Sequence, residues 1–223
     1  MQVILSMAKG SKLTIEFVES CDSTQTQIIL NLKNGIIVPP YCLVANSQNN
    51  GVGSRGNEWI SKSGNLYFSF CVDEKSMPSD LPMSSASIYF AFLMKDYLAN
   101  LGSQIWLKWP NDFYLGEKKI GGVITTKIKN VFVCGIGLNL THAPEFAGIL
   151  DIKVDKNSLV YGFLENLENK ISWKQIFSKF LLEFPLSQKF GTHSGSEEIS
   201  LKNAVLCDDG SVIINNKKVY SLR

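Results

Sequence analysis

Histidine is scarce in this 223-residue chain: only His142 and His193 are present. Neither has a ligand partner at motif spacing, so a histidine metal centre is not indicated. No GxSxG string occurs, which leaves a serine–histidine–aspartate nucleophile without its elbow. The five cysteines, Cys21, Cys42, Cys71, Cys134 and Cys207, are odd in number and form no CxxC pair. Four lie in strand-like apolar runs. They read as reduced structural thiols of a cytoplasmic protein, not as a disulfide framework or a zinc site. No apolar run reaches the roughly 18 residues of a membrane span, and residues 1–7 are too short for a secretory signal and lack a cleavage site. Surplus charge is absent as well. The 22 basic and 20 acidic residues leave a net +2, which gives no global field for nucleic acid.

What is present is ordinary globular composition, 45% hydrophobic and 19% charged, in a chain long enough for one domain plus a small appendage. Alternating apolar residues predict strands over 13–18, 36–45 and 66–72, the second with Pro39-Pro40 at an irregular entry. Asp22-Ser23-Thr24 offers an N-cap for a helix through about Leu32 that stops at Asn34-Gly35. A long helix is expected over 80–102, capped by Asp80 with Pro82 in its first turn. Its stripe is Phe90, Leu93, Met94, Tyr97, Leu98 and Leu101. Strands over 105–108, 121–127 and 130–140 follow, with a turn near Lys129-Asn130, then helices over 157–169 and 173–184. Residues 191–198 are the one linker-like stretch. Beyond it, strands over 204–206, 211–214 and 217–221 are joined by Asp209-Gly210 and Asn215-Asn216 turns. The order predicts an α+β domain over 1–190, a mixed sheet with helices packed on one face, followed by a small β domain over 191–223.

Three strings carry chemistry. In Gly51-Val52-Gly53-Ser54-Arg55-Gly56, closed by Trp59, three glycines in six residues let backbone N–H groups face one concavity suited to a carboxylate or phosphate. Arg55 adds a cation, and Trp59 offers a flat ring. Read alone, the string fits a surface loop with Trp59 as its core anchor equally well, and it does not open a helix after a Rossmann strand. Lys108-Trp109-Pro110-Asn111-Asp112, followed by Lys118-Lys119-Ile120-Gly121-Gly122, predicts a hairpin that returns Lys119 to Asp112. A lysine stabilises developing negative charge, and a carboxylate takes a proton or helps bind a metal. An ordinary charged hairpin would have the same pattern. Gly135-Ile136-Gly137-Leu138-Asn139 leaves one face of a strand bare for a flat ligand or a packed neighbour, with an amide at its end.

In this order, and with Ser23-Thr24-Gln25 after the first strand, the three strings resemble the biotin protein ligases from about residue 13 to 140. The lysine-tryptophan-proline-asparagine-aspartate block is the most specific of them. The tail ending at Tyr220-Ser221-Leu222-Arg223 is similar to that family's small SH3-like domain, though short. The resemblance implies a class II synthetase-like fold and a two-step reaction. Biotin and MgATP give biotinyl-5′-AMP, and biotin then passes to a lysine of the biotin carboxyl carrier protein of acetyl-CoA carboxylase. It implies that Ser23, Thr24 and Gln48 hold the ureido ring. The backbone of Gly51, Val52, Gly53, Ser54, Arg55 and Gly56 would wrap the carboxylate and phosphate. Trp59 and Asn111 would meet the adenine. Lys119 would bridge carboxylate and α-phosphate, and Gly122, Ile124 and Gly135 would line the biotin tail. Asn139 would face the phosphates or Mg2+, with no metal held directly by protein groups, and Asp112 would activate the acceptor lysine.

Two departures qualify the resemblance. The family's loop reads GRGRxGR, whereas here Val52, Ser54 and Asn57 stand at arginine positions and only Arg55 remains, leaving Arg55 or Lys108 to compensate. About a dozen residues precede the first expected strand, too few for a winged helix-turn-helix, so no specific DNA binding is expected. A homodimer through the sheet edge stays open. The alternatives are a lipoate or octanoate ligase of the same fold, against which the glycine loop and the lysine-tryptophan block argue, and a non-catalytic biotin-binding sensor, against which Lys119 and Asp112 argue.

Overall fold

The computed structural model describes residues 2–6, 12–194 and 197–220. Eight strands form one sheet: β1 (Gln2–Ser6), β2 (Lys12–Cys21), β3 (Tyr41–Gln48), β4 (Leu66–Asp73), β5 (Trp106–Lys108), β6 (Asp112–Leu115), β7 (Lys118–Ile128) and β8 (Val131–Leu138). Their spatial order is β1-β2-β3-β4-β8-β7-β6-β5. Only β2 and β3 pair in parallel, and the helix α1 (Thr24–Lys33) makes that crossover.

Strand alternation sends neighbouring residues to opposite faces. Cys42, Val44, Phe68, Phe70, Val72, Phe132, Cys134 and Ile136 enter the main core. There they meet the helices α2 (Ala86–Asn100), α3 (Lys156–Glu168) and α4 (Trp173–Ser187). Phe90 and Phe163 both stand edge-on or tilted to Phe70, with centroids 5.2 and 5.4 Å away. Such pairs add about 0.5–1.5 kcal/mol each beyond area burial. On the other face, Tyr41, Leu43, Cys71 and Val133 pack against Ile28 of α1. Three helices thus share the expected face. α1 covers only part of the opposite one, and the uncovered part carries the site. Among the described residues, no helix is long and apolar enough to cross a membrane.

The boundaries differ from expectation where local chemistry intervenes. β3 starts at Tyr41 because Pro39 and Pro40 have no N–H for a ladder. The long helix begins at Ala86, since Pro82 is extended (ψ 131°) and only a 3₁₀ turn, Met83–Ser85, follows it. Asp80 does not cap that helix. Its carboxylate accepts from the backbone N–H of Trp173 (3.0 Å) and Lys174 (3.1 Å), so it caps α4 from 93 residues away. β1 and β6 are additional strands. The linker-like stretch is a hairpin of β9 (Gly191–Ser194) and β10 (Glu197–Ser200), with residues 195–196 outside the described residues. The final three-stranded sheet is β11 (Val205–Leu206), β12 (Val212–Ile214) and β13 (Lys217–Val219). Residues 221–223 of the expected tail lie outside the described residues. Asn215 and Asn216 take φ of 47° and 61°, which the expected two-residue turn requires.

The tail is pinned to the body. The carbonyls of Asp208, Asp209 and Gly210 accept, in turn, from Trp173 Nε1 (2.7 Å), Ser85 Oγ and Trp109 Nε1 (2.9 Å). Leu201, Ala204, Leu206, Val212 and Ile214 share the main core. Trp109→Phe removes one of these donors and leaves a buried carbonyl unpaired. It should cost about 1–3 kcal/mol and lower Tm by several degrees. A melting curve that overlays the wild type would refute this.

Candidate active site

The cleft floor is built by register. Ser69 of β4, Gly135 of β8 and Ile124 of β7 are partners in one row, and Tyr67, Gly137, Gly122 and Asp112 of β6 form the next. Two of those positions in the centre strand carry no side chain, so the sheet is hollow there. A Cβ on Gly137 would lie 2.9 Å from Trp59 Cε2 and Nε1, and one on Gly135 would lie 2.9 Å from Gln25 Oε1 and 3.0 Å from Ser69 Oγ. The glycines therefore allow Trp59 to lie on bare backbone and keep a polar wall open.

The inner cleft is walled by Ser23, Thr24, Gln25, Gln48, Val52, Gly53, Ser54, Trp59, Asn111, Asp112, Lys119, Gly122, Ile124 and Gly135 among others. It opens into an outer cleft that adds Thr26, Lys108, Thr125, Thr126 and Thr192. Of the residues expected from sequence, Gly51 is buried behind this wall and Gly56 is exposed at the loop tip. The Arg55 side chain lies outside the described residues. Asn139 is in neither wall: its Nδ2 donates to the Gly148 carbonyl (3.1 Å) and its N–H to Ile120 (2.8 Å).

Each wall residue is placed by its element. Ser23 caps α1, its Oγ accepting from Thr26 N–H. This holds Thr24 and Gln25, in the first turn, over the sheet. Gln25 is 5% exposed, and its Nε2 donates to the Val133 carbonyl (3.1 Å). Its buried Oε1 and the buried Trp59 Nε1 have no hydrogen-bond partner among the described residues. Two such groups in one cleft are poised for a ligand, because an unmet buried polar atom is costly. Sequence reasoning missed Gln25 as a site residue; its one signal is its place beside the capping serine.

The glycine string is itself a small hairpin. Gly53 N–H donates to the Asn57 carbonyl (2.7 Å), Asn57 N–H to Ser54 (3.2 Å) and Trp59 N–H to Gly51 (2.7 Å). Those three donors are therefore committed within the loop rather than to an anion nest. Gly56 sits in its turn at φ 75°, a conformation that L side chains rarely adopt.

The lysine–aspartate hairpin forms as expected, with β6 leading into β7. Lys119 Nζ is 2.6 Å from Asp112 Oδ1 and Lys108 Nζ is 3.9 Å from Oδ2. Lys119 Nζ also lies 5.8 Å from the centre of the Trp59 ring. Asn111 anchors the hairpin to β7: its carbonyl accepts from Val123 N–H (2.9 Å) and its Nδ2 donates to the Val123 carbonyl. Cys21, next to Gln48 across the β2–β3 ladder, is no nucleophile at neutral pH. Burial, reinforced by Asp22, pushes its thiol up to about 11, so the thiolate is rare.

The mixed sheet with its hollow, glycine-floored cleft is the fold of biotin ligase catalytic domains. Residues 17–141, more than half of the chain, match the Biotin/lipoate A/B protein ligase family. The chain belongs to that family. It is 40% identical to the biotin acetyl coenzyme A carboxylase synthetase of Helicobacter pylori, solved with bound biotinylated ATP. That match covers 92% of this chain and 98% of the other, at a TM-score of 0.89. The biotin–[acetyl-CoA-carboxylase] ligase of Mycobacterium tuberculosis is 26% identical over 174 residues, 72% of this chain and 65% of that protein. The bifunctional ligase/repressor BirA of Escherichia coli is 29% identical over 146 residues, 62% of this chain and 43% of that one. The matched segments thus span less than two thirds of the length of these two curated relatives.

Proposed function

We propose that this chain activates biotin with ATP to biotinyl-5′-AMP and passes the acyl group to a lysine of a biotin carboxyl carrier protein, that of acetyl-CoA carboxylase being the carrier named by its relatives. The observation that carries this reading is the polarity of the inner cleft. One end offers the Ser23 hydroxyl, the Gln48 amide and the unpartnered Gln25 Oε1. A cyclic urea has one acceptor flanked by two donors and matches that set, whereas a lipoyl or octanoyl chain has nothing to pair with it. The glycine floor and Ile124 suit the apolar valeryl arm, which leads the carboxylate to Lys119.

In the first step a biotin carboxylate oxygen attacks the α-phosphorus of ATP, the P–O bond to the β-phosphate breaks, and pyrophosphate leaves. Two anions must approach, so Lys119, held at the cleft wall by Asp112, lowers the repulsion. Lys108, and Arg55 from the loop, supply the remaining cations where the family's usual loop arginines are replaced. In the second step the lysine amine of the carrier attacks the acyl carbon, AMP departs with the bonding pair, and Asp112 accepts the amine's proton. Trp59 and Asn111 take the adenine side. Among the described residues, no cluster of histidine, cysteine, aspartate or glutamate forms a metal cage. Magnesium is assigned to the ATP phosphates, where it would screen their charge. The described cysteines are free thiols, which suits a cytoplasmic setting.

The test is mass spectrometry of the purified chain with biotin, ATP and magnesium, then with an apo carrier domain, with lipoate and octanoate in parallel. A biotinyl-adenylate peak and a carrier heavier by one biotin are the expected result. Biotin binding without adenylate would replace this reading with a sensor, and an adenylate formed only from lipoate or octanoate would assign the chain to the other branch of its family.

A further inference from the structure

The polar groups around the head end of the inner cleft form one chain of hydrogen bonds whose direction is set by chemistry. The Thr24 N–H donates to Gln48 Oε1 at 2.8 Å, which identifies that atom as the amide oxygen. The Thr24 hydroxyl is 3.1 Å from the same oxygen, and an amide oxygen only accepts, so the single hydroxyl proton of Thr24 goes there. Ser69, 2.8 Å from Thr24 Oγ1, must then be the donor of that pair. At the other end, Gln48 Nε2 donates to Ser61 Oγ (2.8 Å), and Ser61 donates its own proton to the Trp59 carbonyl (2.9 Å). The Trp59 N–H separately donates to the Gly51 carbonyl. The order of donation is therefore Ser69, Thr24, Gln48, Ser61 and the Trp59 carbonyl, running from the cleft floor to the base of the glycine hairpin.

This leaves Gln48 with one uncommitted amide hydrogen and no spare acceptor role in the chain. If Ser61 did not accept, the Nε2 end would lose its described acceptor, and the Thr24 bonds at Oε1 alone would hold the amide against the cleft. Ser61 is 9% exposed and is in neither cleft wall, so it acts only through Gln48 and Trp59. Building on the biotin reading above, we infer that Ser61 is a positioning residue: it locks Gln48 as a hydrogen-bond donor toward the ureido oxygen and ties occupancy of the head pocket to the glycine hairpin. Hydrogen bonds in series also polarise one another, which strengthens the donor that Gln48 presents.

The test compares wild type, Ser61→Ala and Ser61→Thr by pyrophosphate release, titrating biotin at saturating ATP and then ATP at saturating biotin. Ser61→Ala should raise KM for biotin about five- to tenfold, the effect of one lost hydrogen bond. It should leave kcat within twofold and KM for ATP unchanged. Ser61→Thr, which keeps the hydroxyl, should restore biotin KM. Pairing Ser61→Ala with Gln48→Ala should add little to Gln48→Ala alone, because one acts through the other. An unchanged biotin KM, additive effects, or a fall in kcat and Tm that threonine does not rescue would each overturn the inference. Failure of the wild type to use biotin would instead overturn the reading on which it rests.

Discussion

Lys119→Ala should slow adenylate formation about 10²- to 10³-fold while leaving biotin bound. The magnitude is that of removing one preorganised group from a site of developing charge. The structure supplies the reason for both halves. Lys119 stands 2.6 Å from Asp112 on the wall opposite the Ser23–Thr24–Gln48 end. Its loss strips the cation from the reacting end and leaves the head-pocket hydrogen bonds in place. Asp112 would then keep only Lys108, at 3.9 Å. Pyrophosphate exchange measures the first effect, and equilibrium binding of labelled biotin the second. A rate loss under threefold would remove Lys119 from the chemistry, and a matching loss of biotin affinity would make it a binding residue only.

The second large effect is expected from filling the hollow floor. Gly135→Val places a branched side chain where even a Cβ is 2.9 Å from Gln25 Oε1, 3.0 Å from Ser69 Oγ and 3.2 Å from Ile124 Cγ1. Neither of the first two can retreat freely. Ser69 is fully buried, and Gln25 is tied to the Val133 carbonyl. Overpacking of this kind costs up to about 3 kcal/mol, and biotin would have to share the remaining space. Affinity for biotin should fall roughly 10²-fold, read by calorimetry, with an unchanged circular dichroism spectrum as the control for folding. Undiminished affinity would mean that the ligand does not lie on this face of the sheet.

Much of this site could be read from the sequence because its logic is local. Alternation placed Gly135 and Gly137 on one face, and the return of Lys119 toward Asp112 follows from a strand end at Pro110 and a strand start at Lys119, although the intervening β6 was not foreseen. The capping role of Ser23 likewise needs only its immediate neighbours. What was not legible depends on partners far along the chain. Asp80 precedes a helical stripe and looks like its cap, but the N–H groups it meets belong to α4. Gln25 resembles any polar helix residue until α1 is laid on β8. Ser61 and Ser69 carry no motif, and their roles exist only once β3, β4 and the glycine hairpin are side by side. The 191–198 stretch has linker composition, yet its ladder is satisfied by pairing with itself.

The clamp on the tail also sets an order in time. Trp109, in the motif beside Lys108 and Asp112, finds its indole acceptor 101 residues later, at Gly210. A chain growing from its N-terminus therefore makes the wall of its activation site long before the group that anchors it. Domains fold largely as units during synthesis, and this hydrogen bond forms only once the 208–210 turn has left the ribosome. The nascent chain would carry every residue proposed for the chemistry while still lacking the C-terminal partner of Trp109, which until then is held by its backbone bond to Ser187.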